Sequence, residues 1–119
     1  MNTQNFGVLT GRLAATPRKF MNKDGSAKMA VTIAVKRNYK EANGKYPTDF
    51  LDLQGFVKEA DKKSVYDYLE KGSMVQIHYS LKRNVYTKND TTVYEQVAVI
   101  ENITLLPSAK KTDMIETNP

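Results

Sequence analysis

Thr48-Asp49-Phe50-Leu51-Asp52-Leu53-Gln54-Gly55-Phe56-Val57 is the stretch on which the fold turns. Alternate residues of a strand point to opposite sides, so Leu51, Leu53 and Val57 share one face while Phe50, Asp52, Gln54 and Phe56 share the other. The aliphatic set is a core face. Phe50 and Phe56 then stand on the polar side, where large apolar rings cost free energy unless something covers them. The segment therefore reads as a half-buried strand, Asp49 to Val57, whose outer face has work to do.

Upstream, Met29 to Arg37 alternates Met29, Val31, Ile33 and Val35 with Ala30, Thr32, Ala34 and Lys36, the period of two that marks another half-buried strand. Asn5 to Leu13 is a first strand by its β-branched and apolar content. The polar stretch Ala14 to Ala27 ends it, with Asp-Gly at 24–25 signalling a hairpin-like turn. A polar loop spans Lys40 to Thr48. Downstream, Glu59 to Lys71 predicts a short amphipathic helix: acidic residues open it, Val65, Tyr68 and Leu69 share a side, and Gly72 follows where a C′ glycine belongs. Two more strands, Ser73 to Tyr86 and Thr92 to Leu106, flank Lys88-Asn89-Asp90, a hairpin loop. From Pro107 periodicity is lost, and residues 107–119 are expected to form a disordered polar tail after a domain spanning 1–106.

Three strands, one helix and two strands are the layout of the OB-fold. The expectation is an all-β, five-stranded Greek-key barrel with one short helix between strands three and four.

A chain of 119 residues fits one compact domain, and its 40% hydrophobic content suffices for one core. A domain this small gains stability from burying more surface in an oligomer. The sequence has no cysteine, which removes disulfides and Cys-based metal sites, and the chain reads as cytoplasmic. No stretch approaches the roughly 18 apolar residues of a membrane-spanning helix, and the N-terminus lacks a signal-peptide pattern. Net charge is +5, which favours polyanionic partners. An enzyme is not expected: His78 is the sole histidine, no phosphate-binding glycine loop or nucleophile motif is present, and Asp49 and Asp52 fall on opposite strand faces. His78 reads as a solvent-facing strand residue, and Lys62 and Lys63 as a solvated face. Neither a metal nor a cofactor is expected.

The outward aromatic recurs. In Val75 to Tyr86, the residues Val75, Ile77, Tyr79 and Leu81 mark the inner face, and Gln76, His78, Ser80, Lys82, Asn84 and Tyr86 the outer. Tyr86 thus shares a side with Lys82, and Tyr39 follows Lys36 and Arg37. Cations interleaved with exposed rings are what a single-stranded nucleic acid needs, since splayed bases stack on rings while phosphates are neutralised.

On these residues the chain resembles the bacterial single-stranded DNA-binding proteins from Asn2 to about Leu106. NFGVLTGRLAATP is similar to the family's first strand, MAVTIAVKRNYK to its second and TDFLDLQGFVKEA to its third. YLEKGSMVQI resembles the helix end and fourth strand, and LKRNVYTKND carries Tyr86 at a stacking position. The resemblance implies a homotetramer that binds single-stranded DNA with little sequence preference in replication, recombination and repair, in the cytoplasm and associated with the nucleoid. It places Tyr39, Phe50, Phe56 and Tyr86 as stacking residues. Arg12, Arg18, Lys36, Arg37, Lys58, Lys82, Arg83 and Lys88 are the expected phosphate partners. The chain departs from the family where Tyr79-Ser80 replaces an expected glycine and where tryptophan is absent. The acidic tip with which family members recruit replication and repair proteins has no counterpart in Asp113 to Pro119, so a shortened chain or a naturally short form from a phage or mobile element is expected. Two other readings stay open. One is an assembly adaptor like primosomal replication protein B, expected to be a dimer; the other is an RNA-binding OB module.

Overall fold

A computed structural model describes residues 3–107 of the chain, so all but the first residue of the tail expected over 107–119 lies outside the described residues. Six strands follow in order: β1 (Gly7–Leu13), β2 (Arg18–Met21), β3 (Ala27–Lys36), β4 (Thr48–Val57), β5 (Met74–Lys88) and β6 (Thr91–Leu105). They hydrogen-bond in the order β1-β5-β6-β4-β3-β2, and β1 also pairs with β3. That extra pairing closes β1, β3, β4, β6 and β5 into a five-stranded barrel, with β2 as an outer edge strand. All pairings are antiparallel except β4 with β6, which meet in parallel at Gln54 and Val99. This is the expected OB-fold.

The core follows the alternation read from the sequence except at Leu51 and Leu81, expected on the inner face but exposed. Leu13, Val31, Ile33, Leu53, Leu69, Val75, Ile77 and Ile103 form one buried cluster. β1 can cross to β3 because Gly11 has no side chain: a Cβ there would strike the Ala34 carbonyl. Gly55 likewise lies beneath the Tyr66 ring.

The helix expected over Glu59 to Lys71 is corrected to a single 3-10 turn, Val65–Tyr68. Before the turn, the Ala60 N–H donates to the Gly25 carbonyl at 2.9 Å and the Lys19 ammonium to the Ala60 carbonyl at 3.2 Å. These bonds tie buried Ala60 to the β2–β3 hairpin. After it, Leu69 is extended (φ −97°, ψ 141°) and buried, and Gly72 donates to the Leu13 carbonyl at 2.8 Å. The Ala60 carbonyl and the Gly72 N–H, which a helix would bond within itself, are thus bonded to Lys19 of β2 and Leu13 of β1. A short helix repays its nucleation poorly, so these tertiary bonds prevail.

Two further differences concern strands. β2 falls within the stretch read as polar and irregular; all four of its residues are exposed, so no hydrophobic alternation announces it. The turn at Asp24-Gly25 is real and joins β2 to β3. A bulge falls between His78 and Tyr79, where Glu101 is the extra residue of β6. The Ser80 hydroxyl donates to the Glu101 carboxylate there at 2.7 Å.

Candidate nucleic-acid interface

Residues paired across neighbouring strands project to the same side of a sheet. On the outer face, β4 and β3 pair Phe56 with Lys28, Gln54 with Ala30, Asp52 with Thr32, Phe50 with Ala34 and Thr48 with Lys36. Phe50 and Phe56, 66% and 60% exposed, are therefore the raised ends of a track about 20 Å long, from a strand rise of about 3.3 Å per residue. Between them the floor is low, because Ala30, Thr32 and Ala34 are small.

Beyond Ser80 only β6 pairs with β5, and the two strands run out as an arm to Lys88 and Thr91. Asn89 and Asp90 close it with positive φ of 52° and 62°, the conformation of a two-residue type I′ turn. Cross-strand pairs on the arm set Lys82 beside Val97 and Tyr86 beside Val93. The phase of Ser80, Lys82 and Tyr86 matches that of Val99, which pairs with Gln54 on the outer face of β4. Tyr86 and Lys82 thus face the same side as the track.

A groove of about 450 Å³ lies between track and arm. Its lining includes Arg18, Phe20, Lys28, Ala30, Thr32, Asp52, Gln54 and residues 95–98. The Thr32 hydroxyl donates to the Asp52 carboxylate at 2.6 Å, so the floor carries polar and acidic groups while cations stand at the β2 end.

The expected cations are not equivalent. Lys36, Lys58 and Lys88 are exposed at or near strand ends, and Lys82 is exposed in the middle of β5. Arg18 lies over the Phe20 ring, 5.6 Å from its centroid. Arg12 donates to the Gly72 carbonyl at 2.9 Å. Arg37 is paired with Asp49 at 2.9 Å, donates to the Tyr39 hydroxyl and lies 5.8 Å from that ring's centroid. The same bond from Arg37 holds the Asp49 carboxyl below its ordinary range and pushes the Arg37 guanidinium up. Arg83 pairs with Gln96 on the opposite face of the arm from Lys82 and lies 5.4 Å from the Tyr94 ring. The structure thus brings Phe50, Phe56, Tyr86, Lys36 and Lys82 to one face, sets Tyr39 beyond the end of β3, and turns Arg83 away.

Lys28 and Phe20 also stand on the outer face, and the sequence reading passes over both. Lys28 was accessible, since it shares the phase of Ala30 and Thr32; Phe20 was not, because β2 has no readable pattern. His78 faces outward as expected, but Phe6 stacks on it at 5.5 Å and leaves it half-buried.

A closed five-stranded barrel that presents exposed rings and cations between a track and a hairpin arm defines an oligonucleotide-binding OB-fold protein. The profile of the Single-strand binding protein family matches residues 4–106. Over 110 residues the chain is 33% identical to Single-stranded DNA-binding protein 1 of Staphylococcus aureus, covering 92% of this chain and 69% of the relative. It is 31% identical to the Single-stranded DNA-binding protein of Lactiplantibacillus plantarum, spanning about half (54%) of that protein's length. With Single-stranded DNA-binding protein 2 of Streptococcus agalactiae it shares 28% over 111 residues, 93% of this chain and 83% of the relative. The chain belongs to the single-strand binding protein family.

Proposed function

We propose that this protein binds single-stranded DNA with little sequence specificity and protects it during replication, recombination and repair. The observation that carries this reading is the alignment of Phe50, Phe56 and Tyr86 on one face with Lys28, Lys36 and Lys82. Rings accept any base by stacking, and a duplex hides the base faces they would need. Tyr39 serves as a further platform, held by Arg37. Arg18, Lys36, Lys58, Lys82 and Lys88 neutralise phosphates; Arg37 braces Tyr39 instead, and Arg12 and Arg83, engaged by Gly72 and Tyr94, are weaker phosphate partners. No hydrogen-bonding group on the face is singled out as a reader of a ribose 2′-hydroxyl, so RNA is the second ligand to compare.

The protein acts in the cytoplasm as a homotetramer, a reading taken from the family resemblance and supported by Phe6 and Val8, which remain 45% and 43% exposed on one copy. Among the described residues no helix is long and apolar enough to cross a membrane. Titration of tyrosine fluorescence with oligo-dT, duplex DNA and RNA of equal length tests the function. Tight binding to oligo-dT that weakens steeply with salt is expected; equal affinity for duplex overturns the reading. Sedimentation equilibrium tests the assembly, and a dimer in place of a tetramer favours the adaptor.

A further inference from the structure

We propose that Phe20 is an additional base-stacking platform, over which a single strand leaves the barrel and continues onto the β2–β3 hairpin. The proposal rests on the single-strand reading above and extends it to a strand that the stacking residues so far named do not reach.

The direction of the Phe20 side chain is fixed by its neighbours. Lys19 is turned toward the segment between β4 and β5, with its ammonium on the Ala60 carbonyl at 3.2 Å and 3.8 Å from the Asp67 carboxylate. Its cross-strand partner, Met29, is buried in the barrel. Arg18 and Phe20, on either side of Lys19, therefore project to the opposite face. That face is the outer one, because Phe20 pairs with Lys28 and Lys28 pairs with Phe56. Phe20, Lys28 and Phe56 form a row across three adjacent strands, and with strands about 4.8 Å apart the outer two lie about 10 Å from each other. A cation sits between two rings.

Phe20 is 47% exposed and lies outside the core cluster, so no packing role accounts for an apolar ring on an edge strand. Rings near cations also occur at Tyr46, Tyr68 and Tyr94. None of those lines the groove, whereas Phe20 does, and it is the aromatic residue of that lining. Arg18, 5.6 Å from its centroid, supplies the charge that accompanies a stacked base with a phosphate.

The chain has no tryptophan, so Phe20→Trp introduces a unique fluorescent reporter at the position in question. The wild-type and variant proteins are titrated with fluorescein-labelled oligo-dT, followed by anisotropy, and the Phe20→Trp emission is read in parallel with unlabelled oligo-dT. The expected result is retained affinity for Phe20→Trp with emission quenched in step with binding. Phe20→Ala and Phe20→Leu, which lack a π face, should bind roughly 5- to 150-fold more weakly at an unchanged melting temperature. A Phe20→Trp protein that saturates with oligo-dT while its emission stays constant overturns the platform, as does Phe20→Ala affinity within about twofold of wild type. A wild-type protein that ignores oligo-dT overturns the single-strand reading itself, which keeps the two failures apart.

Discussion

The Arg37 guanidinium holds the Asp49 carboxylate by two hydrogen bonds, Nε to Oδ2 and Nη2 to Oδ1, each 2.9 Å long. The pair joins the residue after β3 to the second residue of β4, and the remaining guanidinium nitrogen reaches the Tyr39 hydroxyl. A cation so engaged is a poor phosphate partner and a good brace for a ring. Arg37→Ala should therefore weaken oligo-dT binding through Tyr39 while leaving the salt dependence nearly unchanged. Asp49→Asn should do the reverse: it frees Arg37 and steepens the slope of log K against log salt by about 0.7, the increment for one phosphate on a single strand. Titrations at several salt concentrations separate the two effects.

The platforms differ in how they are supported, which orders their expected losses. Phe50 and Phe56 stand on the rigid barrel, so Phe50→Ala and Phe56→Ala should each cost about 1–3 kcal/mol of binding across sequences. Tyr86 lies near the tip of the exposed arm, and Tyr86→Ala is expected at the lower end of that range. None of the three is in the core cluster, so melting temperatures should stay near wild type. Isothermal titration with oligo-dT and a parallel thermal melt check both statements.

How much of this was legible beforehand depended on which residues obey a period. Met29 to Lys36 and Asp49 to Val57 alternate cleanly, because each strand has one face on the core, and the phase of Phe50 and Phe56 follows at once. β2 has neither face on the core, and Phe20 was accordingly invisible until Lys28 and Phe56 were seen beside it. The expected helix failed for a complementary reason. Val65, Tyr68 and Leu69 have helical spacing, but the Ala60 carbonyl and the Gly72 N–H are engaged by Lys19 and Leu13, partners far away in sequence. The orientation of Arg83 depends on a cross-strand partner, Gln96, which no local pattern names.

Closure of the barrel makes a sharp demand on Gly11. The Cβ that alanine adds would meet the Ala34 carbonyl, and backbone in a ladder cannot swing aside as a flexible side chain can. Gly11→Ala is expected to destabilise the fold by about 1–3 kcal/mol, the usual cost of overpacking. At Gly55 the obstructing group is the Tyr66 ring, so Gly55→Ala in a Tyr66→Ala background should be tolerated better than in the wild type. Chemical denaturation of the single and double variants measures that coupling.

Tyr66 is expected to contribute to the protein's loss of stability at alkaline pH. Burial pushes its hydroxyl up to about 12 from the ordinary 10.0, since the phenolate would lose hydration where the ring packs against the core. A group whose folded value is raised binds more protons in the folded state between those two values, so stability falls as pH rises there. The contribution is complete below about pH 10 and is lost progressively up to about pH 12. Tyr66→Phe keeps the ring over Gly55 and removes the ionisation, so its stability should decline less across that window than the wild type's. Urea midpoints measured from pH 9 to 12 for both proteins test this, and parallel curves would show that another group governs the alkaline transition.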